Sequence, residues 1–480
     1  MFGNEGSELR ETYARGALGM NIVLVGLELA PGLARTPAAE SLLLLAKALR
    51  LLDFEITLVL PYFEELRAQG LLAARRLTPL ELPQSGPTFV YESTLPSGAK
   101  LCLLESKEFP SPRFDSFQEP GSDALVAWLS EAVVEWVSER ARHGTPPDVV
   151  HALGARAAVA LGALRVEDGA IARAMTIFDP SDLKWVREGI GSEVPGAALG
   201  RWAGFSAAET IVTPSHELAT EVRQLLSELP TRSRASAQVV FEGIDTGAKN
   251  PATDPALPHR YTPYDLSGKK RTQRAVRESF GLSVDPERPF LVVNLRSADE
   301  STRKKVASVV PSWVRQGFTV GVALDGHALA ELGPVLAELA DQVAIVRGSA
   351  KPEMQRLFAA ADFYWEPDST DATGRTILEA QRYGALPVAG PRHFGRERVL
   401  ELDAELSSGT GFTVTDAEIE DFVALGGRLL AAFRRAQFAG AVTRVMALDL
   451  AWDRPGRRYA QIYKALLDGP SAKGRPLSTG

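Results

Sequence analysis

Four arginines of this chain stand where predicted strands end or helices begin: Arg35, Arg296, Arg375 and Arg392. A guanidinium group is always charged and presents a planar set of donors that matches the oxygens of phosphate or carboxylate. Together, these side chains could form an anion site without a glycine-rich loop. For Arg35 the competing interpretation is an ordinary solvated residue.

Two further residues could do chemistry, and each has a structural alternative. His151 ends an apolar strand pattern, where a histidine is more often a core residue with satisfied hydrogen bonds than a catalyst. Asp371 precedes a helix pattern, where a carboxylate can cap the first turn.

The composition excludes several classes of protein. With 53 Lys and Arg against 60 Asp and Glu the net charge is −7, so we expect no general attraction to nucleic acid or to an anionic membrane. Cys102 is the only cysteine, which excludes an internal disulfide and a thiolate zinc cluster and fits a reducing cytoplasm. No apolar run approaches the ~20 residues of a membrane-spanning helix. Residues 1–19 lack a secretion-signal pattern, so we expect a cytoplasmic protein.

The elements that must position these residues alternate between strand and helix patterns. Residues 21–27 and 55–61 are apolar runs of strand length, and 38–52 between them has helical length and composition. This order indicates a βαβ unit with buried parallel strands. Further strands are predicted at 101–105, 148–153, 174–178, 210–213 and 238–241, and then at 289–295, 318–324, 342–347, 362–366 and 386–390.

The alternation predicts an α/β fold with two Rossmann-like, doubly wound domains. The segments are an N-terminal extension (1–19), a first domain (20–242), an interdomain segment (243–270), a second domain (271–450), a last helix (451–467) and a tail (468–480). Two such domains face a cleft at the carboxyl ends of their sheets, which suggests a two-substrate transferase. The alternative is a pair of such domains with no chemistry between them.

The interdomain segment points to a family. It reads GIDTGAKNPATDPALPHRYTPYDLSGKK, is rich in Gly and Pro, and has little apolar periodicity. It resembles the interdomain segment of bacterial glycogen synthases and plant starch synthases, which reads N-G-I-D, W-N-P-A-T-D-P, Y and D-L-S-G-K in that order. The matching residues are 243–245, 250–255, Tyr261 and 265–269.

Other segments are similar to the same family, so the resemblance covers roughly residues 20–467. They are LELAPG (27–32), PDVVHA (147–152), IVTPSHELATEV (211–222), AADFYWEP (360–367), ALPVAG (385–390), GTGF (409–412) and MALDLAWDRPGRRYAQIY (446–463). The resemblance implies the GT-B glycosyltransferase architecture, in which the last helix crosses back to the first domain. It also implies transfer of glucose from ADP-glucose to an α-1,4-glucan such as glycogen, with retention of configuration and with no metal or other cofactor.

The first domain departs from the family's site motifs. Where the family has K-T-G-G, this chain has Ala34-Arg35-Thr36-Pro37, and Pro37 has no N–H to offer a phosphate. Arg35 restores the positive charge only if the alignment shifts by one residue. In the family's H-A-H-D-W-H motif, His151 matches the first histidine, but Leu153 replaces the second, which lies near the reacting sugar.

The second domain keeps more of the family's motifs. Arg296 matches the arginine of R-L-T-D-Q-K-G, although Ser301 stands at the lysine position, and this resemblance makes Arg296 the best candidate for a phosphate contact. Asp371 stands at the glutamate of F-E-P-C-G-L-T and is one methylene shorter. The helix beginning survives as Gly374, Arg375 and Thr376, so its N–H groups could meet a phosphate.

The family's T-G-G after the next strand is replaced by Arg392, His393 and Phe394, whose side chains would fill the space that the glycines leave open. The sequence therefore predicts a glycogen-synthase-like protein that is catalytically weak or inactive and has a binding or regulatory role. The expected partners are an α-glucan, a nucleotide sugar and an active synthase, without nucleic acid or membrane. One alternative is an active glycosyltransferase with a changed donor, and another is an assembly protein that reuses the fold.

Overall fold

The structure is a computed structural model that describes residues 19–31, 33, 36–109, 112–117, 122–164, 171–190, 197–229, 233–339, 341–347 and 351–468. Arg35, residues 1–18 of the predicted extension and residues 469–480 of the predicted tail lie outside the described residues. The chain divides into two compact units. Unit 1 comprises the described residues up to Glu242 and from Trp452 onward, and unit 2 runs from Gly243 to Ala451.

Unit 1 is built on one large sheet. Its described strands are β1 (Asn21–Val25), β2 (Glu55–Pro61), β3 (Ala74–Arg75), β4 (Leu80–Leu82), β5 (Gly86–Thr94), β6 (Lys100–Ser106), β7 (Val149–Leu153), β8 (Ala172–Thr176), β9 (Thr210–Thr213) and β10 (Ser236–Val239). Their order is β10-β9-β8-β7-β1-β2-β6-β5-β3, and β4 pairs with β5. The strands from β10 to β6 are parallel, and β5 runs antiparallel to β6. The order reverses between β1 and β7, which is where folds of this kind bind ligands.

Helices cover this sheet because its central strands are apolar on both faces. Ile22, Val23, Leu24 and Val25 of β1 are fully buried. The helices are α1 (Pro37–Arg50), α2 (Glu64–Ala68), α3 (Asp123–Arg142), α4 (Ala155–Ala163), α5 (Pro180–Ile190), α6 (Ala197–Ala207) and α7 (His216–Glu228), with a 3-10 helix at Phe114–Phe117.

Unit 2 has a smaller parallel sheet. Its described strands are β11 (Phe290–Asn294), β12 (Thr319–Leu324), β13 (Val343–Arg347), β14 (Phe363–Ser369), β15 (Leu386–His393) and β16 (Phe412–Thr413), in the order β13-β12-β11-β14-β15-β16. The order reverses between β11 and β14. The helices are α8 (Ser267–Ser279), α9 (Glu300–Gln316), α10 (Gly326–Ala337), α11 (Lys351–Ala360), α12 (Arg375–Arg382), α13 (Ile419–Phe433) and α14 (Phe438–Met446), with a 3-10 helix at Arg396–Arg398.

The last helix, α15 (Asp453–Asp468), belongs to unit 1 although it follows unit 2 in sequence. It packs against α1, and Gly456 allows the close approach because a Cβ there would lie 2.6 Å from the Cβ of Ala48. Two units, each built on a mainly parallel sheet with helices, confirm the predicted α/β fold class. None of the helices in the described ranges combines the length and the apolarity needed to cross a bilayer.

The Gly- and Pro-rich segment 243–270, whose last residues form the start of α8, is held within unit 2 by buried polar groups. The ammonium of Lys269 donates to the carbonyl oxygens of Ala359, Ala361 and Tyr383 at 3.0, 2.8 and 3.2 Å. The hydroxyl of Tyr261 donates to the same Tyr383 carbonyl at 2.8 Å, and the Tyr383 hydroxyl donates to the Asp254 carboxylate at 2.5 Å. The motif residues of this segment therefore have a structural role that explains their polarity.

Candidate functional site

The carboxyl edge of the unit 2 sheet holds a buried polar network at the point where the strand order reverses. Its centre is Glu366 of β14, whose carboxylate accepts a hydrogen bond from the amide of Asn294 at 3.1 Å and one from the hydroxyl of Thr376. Asn294 ends β11, and Thr376 is the second residue of α12. The network therefore fixes the start of α12 to two neighbouring strands.

His393 completes this network from the end of β15. Its Nε2 lies 3.3 Å from the Glu366 carboxylate, and its Nδ1 accepts the backbone N–H of Gly395 at 3.0 Å. Because Nδ1 accepts, the proton is on Nε2, which donates to Glu366. Both side chains are nearly inaccessible to solvent. Because the Glu366 carboxylate is buried and accepts hydrogen bonds from several donors, its arrangement is that of a structural residue.

The first turn of α12 has a backbone geometry that only glycine fits well. Gly374 has φ of +63°, and a Cβ there would lie 2.8 Å from Cγ of Arg398. Asp371 accepts the backbone N–H of Thr373 at 2.8 Å, which is a local turn contact. Asp371 therefore closes a turn before α12 without capping the helix, whose N-cap residue is Gly374, and its catalytic role stays a prediction.

Arg392, near the end of β15, binds two carboxylates of the chain itself. Its Nη1 lies 2.7 Å from Asp299, and its Nε and Nη2 lie 3.1 and 3.0 Å from the two oxygens of Asp368. Its Nη2 also donates to the hydroxyl of Thr302. The hydrogen bond to Asp299 raises the pKa of Arg392, and the backbone N–H of Thr302 lowers the pKa of Asp299. We call this group the Arg392 cluster.

Arg296 also faces a carboxylate of its own unit. It follows β11, and its Nε lies 3.3 Å from Asp325, which precedes α10. Its side chain is mostly buried, while that of Asp325 is about half exposed. Arg375 is the first residue of α12 and is half-buried. The carboxyl edge of unit 2 therefore carries three of the four predicted arginines, but at least two of them already neutralise carboxylates.

His151 lies in the core of unit 1. Its Nδ1 is 2.5 Å from the hydroxyl of Tyr463 and its Nε2 is 2.8 Å from the hydroxyl of Thr176. Burial lowers the pKa of this imidazole to about 3, so it is neutral at physiological pH. Tyr459 packs against the same ring from α15. The contacts are those of a core histidine that holds the last helix on the sheet.

A small cavity of about 100 Å³ lies at the reversal point of the unit 1 sheet. Glu28, which follows β1, borders it and accepts the backbone N–H of Thr36 at 2.8 Å. Asp182 on α5 borders it as well, and burial raises the pKa of this carboxyl to about 6. The guanidinium of Arg156 lies at the same cavity and stacks over Trp185 at 4.9 Å. These acceptors and the cation could bind sugar hydroxyls.

Sequence reasoning found only part of these arrangements. The structure brings Arg296, Gly374, Thr376 and Arg392 to the carboxyl edge of one sheet, whereas His151 lies in the other unit. Sequence reasoning missed Glu366, His393 as a network member, and Asp182. The available signal was weak, because Glu366 ends an apolar strand pattern and Asp182 sits in an ordinary helix pattern. No group of three or more His, Cys, Asp or Glu side chains within the described ranges could hold a metal ion.

The chain is similar in sequence to known glycogen synthases. The chain is 29% identical over 330 residues to the glycogen synthase of Anaeromyxobacter dehalogenans strain 2CP-1, a match that covers 63% of this chain and 68% of that protein. It is 26% identical over 471 residues to the glycogen synthase of Leptothrix cholodnii, covering 88% of this chain and 94% of that protein. No family model matches the chain.

Among solved structures, the catalytic domain of starch synthase IV from Arabidopsis thaliana, bound to ADP and acarbose, is similar with a TM-score of 0.78 at 20% identity. This likeness covers 94% of our chain and 100% of that one. The fold is therefore that of the GT-B glycosyltransferases. With the sequence matches, it supports the similarity to the glycogen and starch synthase family that the interdomain segment had indicated.

Proposed function

We propose that this protein is a glucan-binding member of α-1,4-glucan metabolism in which glucosyl transfer from ADP-glucose is weak or absent. The observation that carries this proposal is the Arg392 cluster. A departing nucleoside diphosphate needs cations and N–H groups that are free to meet its developing charge. Here Arg392, whose side chain is about half exposed, is held by Asp299 and Asp368.

The cluster opposes a nucleotide diphosphate in two ways. A phosphate would have to displace two carboxylates from Arg392, and those carboxylates would then repel it at short range. The side chains of Arg392 and Phe394 also stand where the family has glycines. By the motif resemblance, Leu153 stands at the position of the family's sugar-contacting histidine, and His151 is fully buried.

Glucan binding is supported by the relatives rather than by one side chain. The curated relatives are named glycogen synthases, and the starch synthase IV domain is bound to ADP and acarbose. The cavity bordered by Glu28, Arg156 and Asp182 supplies hydrogen-bonding groups suited to sugar hydroxyls. An active synthase is the partner through which a protein of this kind would influence polymer growth, and a cytoplasmic location stays a prediction.

The proposal is tested by measuring nucleotide release from ADP-glucose and UDP-glucose with glycogen as acceptor, together with sedimentation of the protein with glycogen. We expect background turnover and retained glycogen binding. Turnover comparable to that of an active bacterial glycogen synthase assayed in parallel would contradict the proposal, and so would the absence of glycogen binding.

The second candidate function is transfer from a different nucleotide sugar. It is favoured by Arg296 and Arg375, which supply cations at the edge where the network of Glu366 fixes α12. A panel of nucleotide sugars would then contain one donor with saturable binding that Arg296→Ala abolishes. Arg274→Ala, on the exposed surface of α8, is the matched control and should bind as the wild type does. If no donor binds, this candidate is wrong.

A further inference from the structure

Unit 1 also contains a larger cavity that lies away from the reversal point of its sheet. Its volume is about 410 Å³, within the range of about 300–1,000 Å³ typical of small-molecule sites. Its floor comes from Lys100 and Cys102 at the start of β6, from Glu92 near the end of the antiparallel β5, and from Thr57 of β2. It therefore opens near the amino ends of the parallel strands, opposite to the edge that carries the small cavity with Glu28.

The strand register explains why these side chains face the same cavity. Lys100 pairs with Thr57 on one side and with Thr94 on the other, which places the three in one row across the sheet. Cys102 and Glu92 pair in the next row with the same orientation, since side chains two residues apart share a face. The hydroxyls of Thr57 and Thr94 and the ammonium of Lys100 therefore lie beside the carboxylate of Glu92 and the thiol of Cys102.

The roof comes from the last turns of α3. Trp136 and Arg140 are four residues apart and therefore share one face of the helix. The guanidinium carbon of Arg140 lies 5.1 Å from the centre of the Trp136 ring. Within the described part of the chain, this guanidinium donates no hydrogen bond and forms no ion pair. Arg140 thus differs from Arg392, whose donors are taken by the chain's own carboxylates.

Within the described ranges, three other polar side chains of the cavity also lack hydrogen-bond partners, whereas the hydroxyl of Ser93 donates to the Leu72 carbonyl. Among the described residues, the Glu92 carboxylate and the hydroxyls of Thr57 and Thr94 have no hydrogen-bond partner. Lys100 meets only Glu55, at 3.8 Å, with both side chains more than half exposed, so this pair contributes little. The lining therefore offers two cations against one carboxylate, together with hydroxyl groups that can donate and accept.

We propose that this cavity binds a small hydroxylated anion, a molecule with one phosphate or carboxylate group and several hydroxyls. Arg140 and Lys100 would hold the anionic group, because a planar guanidinium matches phosphate and carboxylate oxygens. Glu92, Thr57 and Thr94 would accept from and donate to the hydroxyls. The site is separate from the one that underlies the proposed function, so either proposal can fail alone.

The binding test uses isothermal titration of the full-length protein with four probes: glucose 6-phosphate, gluconate, inorganic phosphate and glucose. We expect saturable binding of glucose 6-phosphate, of gluconate, or of both, and which of the two binds identifies the anionic group. Arg140→Gln should weaken this binding by about tenfold or more, as loss of a charge-assisted pair predicts. Arg142→Gln, the same change two residues further along α3 and outside the cavity lining, should leave the affinity within about twofold.

An independent measurement uses the only cysteine of the chain. Cys102 lines the cavity but is only 2% exposed, and burial raises the pKa of its thiol, so it is alkylated only when the structure around the cavity opens; a ligand bound in the cavity should oppose that opening. A saturating probe should slow alkylation in the wild type and in Arg142→Gln, but not in Arg140→Gln. The proposal is overturned if no probe binds, if Arg140→Gln binds as well as the wild type, or if inorganic phosphate binds as tightly as glucose 6-phosphate.

Discussion

The burial of His151 predicts a specific dependence of stability on pH. In the folded chain burial lowers its pKa from 6.5 to about 3, whereas in the unfolded chain the imidazole has its ordinary pKa. At pH values between these two pKa values, the His151 imidazole is protonated in the unfolded chain but not in the folded chain. The folded state is therefore stabilised above about pH 6.5, and this contribution is lost as the pH falls toward 3.

The size of this effect follows from proton linkage. Lowering the pH from about 7.5 to about 5 should reduce the free energy of unfolding of unit 1 by about 2 kcal/mol through His151 alone. Other groups titrate in the same range, so the quantity to measure is the difference from a variant. His151→Gln keeps an amide that can bond to Tyr463 and Thr176 but cannot take up a proton.

The assay is urea unfolding followed by tryptophan fluorescence at both pH values. The wild type should lose about 2 kcal/mol more than His151→Gln over this interval. His143→Gln replaces an exposed histidine of the same unit and should follow the wild type. Equal losses in the wild type and in His151→Gln would refute the conclusion that His151 is a neutral core residue, and would reopen its assignment as a catalytic group.

Three other substitutions test separate parts of the structure by the same unfolding assay. Lys269→Met should lower the free energy of unfolding of unit 2 by about 2 kcal/mol because three buried carbonyls lose their donor, whereas Lys270→Met on the exposed face of α8 should change it little. Arg392→Ala should lower the free energy of unfolding of unit 2 by about 1 kcal/mol, because it leaves the carboxylates of Asp299 and Asp368 close together without their cation. Adding Asp368→Asn should restore part of this loss. A double variant less stable than the single one would contradict this expectation. Thr376→Val should lower the free energy of unfolding of unit 2 by about 1–2 kcal/mol, because the buried Glu366 carboxylate loses a hydrogen-bond donor. Thr376→Ser keeps the hydroxyl and should lower it less. Equal losses in the two variants would show that the hydroxyl does not matter.

The α/β fold class could be predicted from the sequence because its central strands are continuous apolar runs. The run at 21–27 contains β1, and the run at 289–295 contains β11. The antiparallel extension of the unit 1 sheet could not be predicted, because β5 (Gly86–Thr94) begins Gly-Pro and alternates buried with partly exposed residues. A strand of this kind gains its stability from pairing with its neighbours rather than from an apolar pattern of its own.

The site could be predicted only in part, because its geometry depends on contacts between distant residues. The sequence indicates Arg392 as a cation, but its two carboxylate partners come from positions 24 and 93 residues earlier. The hydroxyl of Thr376 reaches Glu366, which the sequence pattern shows only as the last residue of a predicted strand. Residue types and spacing therefore indicate which side chains can act, whereas folding decides which of them are already neutralised.

The central claim is that this chain transfers glucose poorly from ADP-glucose. The most direct test is the incorporation of labelled glucose from ADP-glucose into glycogen, with the purified protein at high concentration and an active bacterial glycogen synthase in parallel. We expect a rate at least about a hundredfold below that of the control, since misplacing a single group at such a site can cost that much. A rate within about tenfold of the control, reduced by Arg296→Ala, would contradict the claim and show that the arginines of unit 2 form a working donor site.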